Sequence, residues 1–436
     1  MLQCAEAHRI PVTQPLKSAI LNVFQEGTTT DQSAARLSDF GIHDWVRCYR
    51  WLDSSGLALY FLNRVKTLGI ASVLPPSVLT SLETNQAANR ERMDSIFVDF
   101  VLINERFQTN TILYFNTKGF ALIPIACHNP ALRIQLNIDL VMSADSADLC
   151  HDALADLGYS LARYSEHVWE FEAGYLKAAY PRNIYEVPPP RAVRVYAVSP
   201  TKASHRVAYQ QLLDQRVRSW NGCTFPVASN ADAFINQSLH IFGRICSEWT
   251  RLSWLIEYKR CVDFWREDDS FLQDVLQKAQ NDPDRVLAIG IALALIKVTL
   301  GAMIPSSLEE WTIGKLNASV RLWIQHYAEE ALLADYPGTK RYCFLKHLLP
   351  QDVNVDGDER HNIQIPSLVS RVGDVRQRKR PRYLYMGLSE AYLKVLRVKF
   401  HLRENLRNVA GAGRWRRLLS ETRAQEIRCK DDVRGY

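Results

Sequence analysis

The sequence lacks the usual marks of a secreted or zinc-stabilised protein. Its nine cysteines are scattered, and no two of them have the CxxC spacing of a structural zinc site. Their odd number does not suit a complete set of disulfides, and Met1–Ile20 has no apolar segment of the kind found in signal peptides. These absences predict reduced thiols and a cytoplasmic location.

Long apolar runs are also scarce. The most apolar stretch, Val286–Ile304, contains Lys297 and two glycines and barely reaches the roughly 20 residues that a bilayer-spanning helix needs. This stretch predicts a buried helix and no transmembrane segment. The polar loop 352–365 lacks the spaced ligands and the terminal glutamate of an EF-hand, so we expect no calcium site there.

Positive charge is concentrated at one end of the chain. The net charge is +6, but residues 371–436 contain 18 Lys/Arg and 7 Asp/Glu, so this tail carries +11 and the preceding residues carry −5. Several of the bases recur at the three- and four-residue spacing of a helix face. The tail predicts a solvated or loosely folded basic extension, and binding to nucleic acid or to an anionic membrane surface is the alternative.

The period of the apolar residues changes along the chain. Helical spacing dominates up to about residue 107 and again beyond Ser199, and strand-like segments lie between them. The predicted fold class is therefore α+β, with a small mixed sheet flanked by N- and C-terminal helical regions. The predicted division is an N-terminal helical region (1–107), an α/β core (108–200), a C-terminal helical domain (201–350) and a loop with a basic, partly helical tail (351–436).

The segment Tyr114–Met142 is the most informative part of the core. An apolar run leads to a turn at Lys118-Gly119, and a later strand contains Asp139 among apolar residues. A carboxylate in such a strand needs a partner, a metal ion or a proton. Asn137 lies two residues earlier and therefore on the same face of that strand.

With Arg133, these residues resemble the bacterial uncharacterised nucleotidyltransferase family of the polymerase-β-like nucleotidyltransferase superfamily. The family pattern is a Lys-Gly turn after a strand, an arginine, and then two aspartates at alternate positions of the next strand. Further similar segments occur in order over roughly residues 44–305: Asp44-Trp45, Leu74-Pro75, Ala88-Asn89-Arg90, Leu157-Gly158-Tyr159, Leu239-His240, Arg251–Leu255 and Met303-Ile304-Pro305.

The resemblance implies transfer of a nucleotidyl group from an NTP to an acceptor hydroxyl or phosphate, with Mg²⁺ as the cofactor. It implies that Asp139 and Asn137 are catalytic, and that Asp139 is the metal ligand. Lys118, Gly119 and Arg133 would bind the nucleotide. If no metal binds, we expect Arg133 to pair with Asp139. The acceptor is not readable from the sequence.

Several positions depart from the family pattern. Asn137 stands in place of the first aspartate and offers a carbonyl oxygen without a charge. Arg194 and Tyr196 align with an acid and a histidine of the family's later strand, and Glu170 or Glu172 could supply a third carboxylate. Three functions stay open: metal-dependent nucleotidyl transfer, a non-catalytic accessory factor that binds a nucleotide or a protein, and association with nucleic acid or a membrane surface through the tail.

Overall fold

The computed structural model describes residues 14–165, 167–173, 185, 191–350 and 381–434, with the backbone alone for 203, 381–394, 396, 423 and 425–434. The chain forms two compact units. The first comprises Met1–Gln237, Leu252–Asn281 and Thr299–Pro305, and the second comprises Ser238–Arg251, Asp282–Val298 and Ser306–Tyr436. The division at residues 107, 200 and 350 that we expected from the sequence stays a prediction.

The first unit begins with five helices: α1 (Gln14–Asn22), α2 (Thr30–Ser38), α3 (Ile42–Ser54), α4 (Ala58–Thr67) and α5 (Pro76–Thr109). Local sequence fixes several of their starts. Thr29 and Gln32 form a capping box at α2, and the Asp44 carboxylate accepts a hydrogen bond from the Gly41 N–H at 3.2 Å. Asp44 therefore lies inside the first turn of α3. A proline at the first position starts α5.

A seven-stranded mixed sheet follows, with strands β1 (Tyr114–Thr117), β2 (Ile138–Ser143), β3 (Tyr159–Tyr164), β4 (Val168–Ala173), β5 (Arg191–Val198), β6 (Arg216–Trp220) and β7 (Cys223–Val227). Their order across the sheet is β3-β4-β5-β2-β1-β7-β6. The β2–β5 and β1–β7 pairs are parallel, and the other pairs are antiparallel. The prediction of an α+β fold with a mixed sheet is confirmed.

Both faces of the sheet are covered by apolar residues. One face packs with α5 and with α6 (Ala147–Asp156), in a core that includes Phe100, Leu140, Leu154 and Val195. The opposite face has a smaller core, in which Leu212 of α7 (Arg206–Leu213) packs with Val141 and Tyr196. Because this second core is smaller, the start of β2 and the adjoining positions of β5 and β4 are only half-buried on that face. Charged residues occupy these positions: Asp139, Arg194 and Glu170.

The helical pattern predicted beyond Ser199 is wrong at the β6–β7 hairpin. Asn221 and Gly222 connect the two strands with φ angles of +45° and +77°. Two consecutive residues with positive φ form the kind of two-residue turn that matches the twist of a hairpin. The hairpin extends the sheet at the β1 edge.

The remaining helices are α8 (Asn230–Ile245), α9 (Leu252–Trp265), α10 (Asp269–Ala279), α11 (Pro283–Leu300), α12 (Ser306–Trp311), α13 (Ala318–Leu332), α14 (Tyr342–Lys346) and α15 (Pro381–Arg434). The apolar stretch Val286–Ile304, which predicted a buried helix, lies mostly within α11. Within the described residues, every helix is too short or too polar to cross a membrane. The predicted loop 352–365 lies outside the described residues.

The basic tail includes α15, which packs in the second unit against α13 and α14. Trp415 is only 4% exposed, and its ring lies 5.8 Å from Phe344 and 5.3 Å from Tyr327. Glu404 is 3% exposed and accepts hydrogen bonds from the Thr339 hydroxyl and from a neighbouring arginine. Between residues 395 and 422 the tail is therefore a packed helix, whereas a solvated or loosely folded extension was expected from the sequence.

Candidate functional site

The strand register aligns four polar residues across the centre of the sheet. Thr117 of β1 lies opposite Asp139 of β2, Asp139 lies opposite Arg194 of β5, and Arg194 lies opposite Glu170 of β4. Residues opposite each other in a sheet project from the same face. The candidate motif strand thus has a cation beside it, and the carboxylate of Glu170 lies one strand further away.

Arg194 holds Glu170 in a two-donor contact. Its Nε and Nη2 atoms donate to Oε1 of Glu170 at 3.0 and 2.7 Å. Burial disfavours the charged guanidinium, but Asp139, Tyr196 and Glu170 together raise the pKa of Arg194 above its ordinary value. Arg194 is therefore a permanent positive charge at the position where the family pattern has an acid.

Tyr196 connects Lys118 to Asp139. The Lys118 ammonium donates to the Tyr196 hydroxyl at 2.9 Å, and that hydroxyl donates to Oδ1 of Asp139 at 3.3 Å. The Lys118 nitrogen also lies 4.9 Å from the centre of the Tyr196 ring. Burial lowers the pKa of Lys118, but Tyr196 and Asp139 outweigh this effect and raise it overall. The structure thus brings together two residues that are 21 positions apart in the sequence.

The Lys118-Gly119 turn has an unusual backbone. Both residues have positive φ, +55° and +39°. A Cβ atom on Gly119 would lie 2.6 Å from Nε2 of Gln135, which itself donates to the Asn137 carbonyl at 3.0 Å. Glycine is favoured here because its φ angle is positive and because any side chain would force Gln135 to move. The turn consequently packs against the residues that precede β2.

Buried polar residues of α5 hold the loop before β2. The Asn89 amide donates to the carbonyls of Ala131 and Arg133 at 2.7 and 3.1 Å, and Arg92, only 1% exposed, donates to the carbonyl of Gln135. Backbone carbonyls in a buried loop need such partners. These contacts fix the loop that leads into the candidate site.

Arg133 pairs with Glu257 of α9 and not with Asp139. Its Nε atom donates to Oε1 of Glu257 at 2.9 Å, and the Tyr60 hydroxyl donates to the same oxygen at 2.8 Å. Burial disfavours the charge on Arg133, but Glu257 raises its pKa above the ordinary value. The expected Arg133–Asp139 pair is therefore replaced by a buried pair that joins the loop to α9, and a nucleotide contact by Arg133 stays a prediction.

Sequence reasoning missed three residues that shape this region: Arg92, Glu257 and Arg218. Arg218 of β6 donates to the carbonyls of Ala121 and Ile123, just beyond the Lys-Gly turn, the latter at 3.0 Å. The role of Arg92 could have been predicted from the sequence, because the polar residues Asn85, Asn89 and Arg92 recur at helical spacing in α5. Such a polar stripe within a helix indicates that the helix binds backbone groups of a neighbouring loop.

The described side chains do not fit a Mg²⁺ site. Mg²⁺ prefers octahedral coordination by hard oxygen ligands. Asp139 is the only carboxylate of the motif strand, Asn137 lacks a charge, and Arg194 opposes Asp139 with a cation. No group of three or more His, Cys, Asp or Glu side chains suitable for a metal occurs among the residues that the structure describes.

The Lys-Gly turn, Arg133 and the strand with Asp139 follow one another in the order of the family pattern that the sequence resembles. The chain belongs to the family described as "Uncharacterised nucleotidyltransferase", whose family model matches residues 43–297. This match contains the whole sheet and extends into α11. A comparison with curated proteins gives no match.

The solved structures that match the chain include an antibiotic-resistance factor and a nucleotidyltransferase-like protein. One is the antibiotic-resistance factor ANT(2'')-Ia, with 9% identity over 43% of this chain and 92% of that protein and a TM-score of 0.32. The other is an antigenic nucleotidyltransferase-like protein from Paracoccidioides brasiliensis, with 14% identity over 49% of this chain and 95% of that protein and a TM-score of 0.30.

Proposed function

We propose that this nucleotidyltransferase-family protein binds the phosphates of an NTP through Lys118 and Arg194 without a divalent metal, and that its core is not catalytic. The observation that carries the proposal is the position of Arg194, directly opposite Asp139. A guanidinium can contact phosphate oxygens with two donors, and an ammonium contacts them as a point charge. Two cations at the edge of a half-buried site therefore supply the positive charge that a metal would otherwise supply.

The neighbouring residues support this role. Without a nucleotide, Glu170 pairs directly with Arg194, and Asp139 is connected to Lys118 through the Tyr196 hydroxyl, so both cations have a carboxylate close by. An arriving phosphate would replace Glu170 as the partner of Arg194 and the Tyr196 hydroxyl as the partner of Lys118.

Metal-dependent nucleotidyl transfer to an unknown acceptor is the second candidate. Asp139 and Asn137 keep the alternating spacing of the family motif, which favours it. In that case Asp139 would be the Mg²⁺ ligand, with Asn137 beside it, and Lys118, Gly119 and Arg133 would bind the nucleotide.

Calorimetric titration with each NTP, in EDTA and in excess MgCl₂, separates these functions. We expect binding in EDTA that weakens at least tenfold in Arg194→Met. Arg163→Met is the matched control, because Arg163 also faces Glu170, at 3.7 Å, but is 62% exposed and does not adjoin Asp139. Arg194→Lys retains the charge and should bind more tightly than Arg194→Met, which separates a charge effect from misfolding.

The same proteins are then incubated with labelled NTP and Mg²⁺ or Mn²⁺, with Asp139→Ala as the control. Pyrophosphate release or label transfer that Asp139→Ala abolishes would establish the second candidate instead. Failure to bind any NTP, with or without metal, would overturn both. The double variant Asn137→Asp/Arg194→Glu restores the acidic residues of the family pattern at these two positions. We expect NTP binding by this variant to depend on Mg²⁺.

A further inference from the structure

Helix α15 has an exposed apolar face in addition to its packed face. Five side chains that are each 57–75% exposed form an aliphatic stripe: Val395, Val398, Leu402, Leu406 and Val409. The side chains that pack against the second unit, Glu404 and Trp415, lie on the opposite side of the helix. The aliphatic stripe is thus presented outward by a helix whose other face is anchored.

The spacing of the aliphatic stripe is that of a seam between helices. Successive members are three, four, four and three residues apart, so all five lie within a narrow sector of the helix surface. At 1.5 Å per residue the stripe is about 21 Å long, or close to four helical turns. Helices that bind in this way use anchors at i, i+3 or i+4, and i+7.

The border of the aliphatic stripe is basic. Lys399 lies four residues after Val395 and three before Leu402, and Arg403 lies three before Leu406, so both bases adjoin the stripe. Both side chains are exposed. Glu404 is the only acid between residues 395 and 420, and it is buried on the packed face.

These charges and the shape of the stripe favour one kind of occupant. Lys399 and Arg403 lie on one side of the stripe, so a second copy packed antiparallel would bring these bases against its own, which is unfavourable. A membrane-bound helix usually has a broad apolar face with aromatic residues, whereas this stripe is narrow and wholly aliphatic. Nucleic acid would not bury the aliphatic side chains. We propose that the aliphatic stripe of α15 binds an acidic amphipathic helix of a partner protein.

The test uses the full chain and two synthetic helical peptides of about 21 residues, with leucines at heptad spacing. One peptide has glutamates beside its leucines, and the other has lysines. Fluorescence anisotropy at physiological salt should show binding of the glutamate peptide that is at least tenfold tighter. Leu402→Gln/Leu406→Gln should weaken it at least tenfold, and Lys399→Glu/Arg403→Glu should weaken it as well. Val298→Gln, at a 53% exposed position of α11, is the matched control and should have no effect.

Three outcomes would overturn the proposal. The first is absence of glutamate-peptide binding, or binding that Leu402→Gln/Leu406→Gln leaves unchanged. The second is self-association in sedimentation that this double variant abolishes, which would assign the stripe to a second copy. The third is binding to phosphatidylserine vesicles or to RNA that the same variant abolishes while the peptide does not bind, which would assign the tail to an anionic surface or to nucleic acid.

Discussion

At the residue scale, Asp53 shows how burial changes the protonation of a single carboxyl group. Burial raises the pKa of Asp53 to about 6, although the hydrogen bond from the Tyr185 hydroxyl at 2.8 Å lowers it in part. The raised pKa means that the folded state favours the protonated form. The stability that this preference contributes is complete below the unfolded pKa near 3.9 and is lost as the pH rises through about 6.

We therefore expect Asp53→Asn to stabilise the protein at pH 7.5 and to change little at pH 4. An amide cannot ionise, and it still accepts the hydrogen bond from Tyr185. The gain at pH 7.5 should be about 1–3 kcal/mol, as a pKa shift of one unit corresponds to about 1.4 kcal/mol and partial exposure reduces the effect. Urea unfolding at the two pH values measures it. An equal gain at both would contradict this explanation.

Gly119 offers a second test at this scale. Gly119→Ala should cost more stability than Gly158→Ala, because both glycines have positive φ but only Gly119 has atoms within 4 Å of an added Cβ. The positive φ alone should cost about 1–2 kcal/mol in each variant. The contact with Gln135 should add about 1–2 kcal/mol at Gly119. Urea midpoints provide the comparison, and equal losses would show that Gln135 moves aside freely.

The sequence was sufficient to select Lys118 and Asp139 as residues of one candidate site, since the family pattern includes both, and their functional roles stay predictions. It did not predict the hydrogen bonds through Tyr196 that connect them. It was not sufficient for the partner of Arg133. Glu257 lies 124 positions away, on a helix whose local pattern contains no sign of a buried ion pair. Pairing over such a distance depends on tertiary packing, which local periodicity does not report.

At the scale of elements, strands β1 to β5 follow patterns that are visible in the sequence, but the β6–β7 hairpin does not. Arg216, Val217 and Ser219 of β6 are all exposed, so this edge strand has little apolar alternation to detect. The Asn221-Gly222 pair is a strong hairpin signal, and greater weight on it would have identified the turn. The hairpin is therefore visible in the residues of its turn and not in the apolar periodicity of its strands.

The Arg133–Glu257 pair joins α9 to the loop before β2, and a double-mutant cycle can measure the connection. Arg133→Met and Glu257→Gln should each cost about 3 kcal/mol, because each leaves a buried polar partner without its ion pair. The double variant should lose much less than the two single losses combined. Chemical denaturation of the four proteins gives the coupling energy, and additive losses would mean that the pair contributes nothing of its own.

Helix α15 is anchored to the second unit by Trp415. Trp415→Ala should destabilise the packing of α15 by about 3–5 kcal/mol, since it removes a buried aromatic side chain. Leu406→Ala is the control, and its effect should stay within about 0.5 kcal/mol because Leu406 is 72% exposed. Hydrogen exchange of the α15 amides would report both effects. Unchanged exchange in Trp415→Ala would show that this ring does not anchor the helix.

At the scale of the whole molecule, the first unit is not one continuous segment of the chain. Leu252–Asn281 returns to it after the chain has entered the second unit. A fragment of residues 1–237 lacks Glu257 and the helices α9 and α10, so we expect it to unfold without a cooperative transition. A fragment of residues 1–305 includes the entire first unit and should unfold cooperatively in urea, as followed by circular dichroism. Equal cooperativity of the two fragments would contradict this description.

The two anchors of α15 have a further consequence for the direction in which the helix points its side chains. Glu404 and Trp415 are 11 residues apart, which is close to three full turns, so they contact the second unit from the same angular position about 16 Å apart. Two contacts at one angle fix the rotation of the helix about its own axis. Insertion of one alanine after Asn408 would turn Trp415 by about 100° relative to Glu404. One of the two contacts would then be lost. The remaining contact alone would not fix the rotation of the helix about its axis.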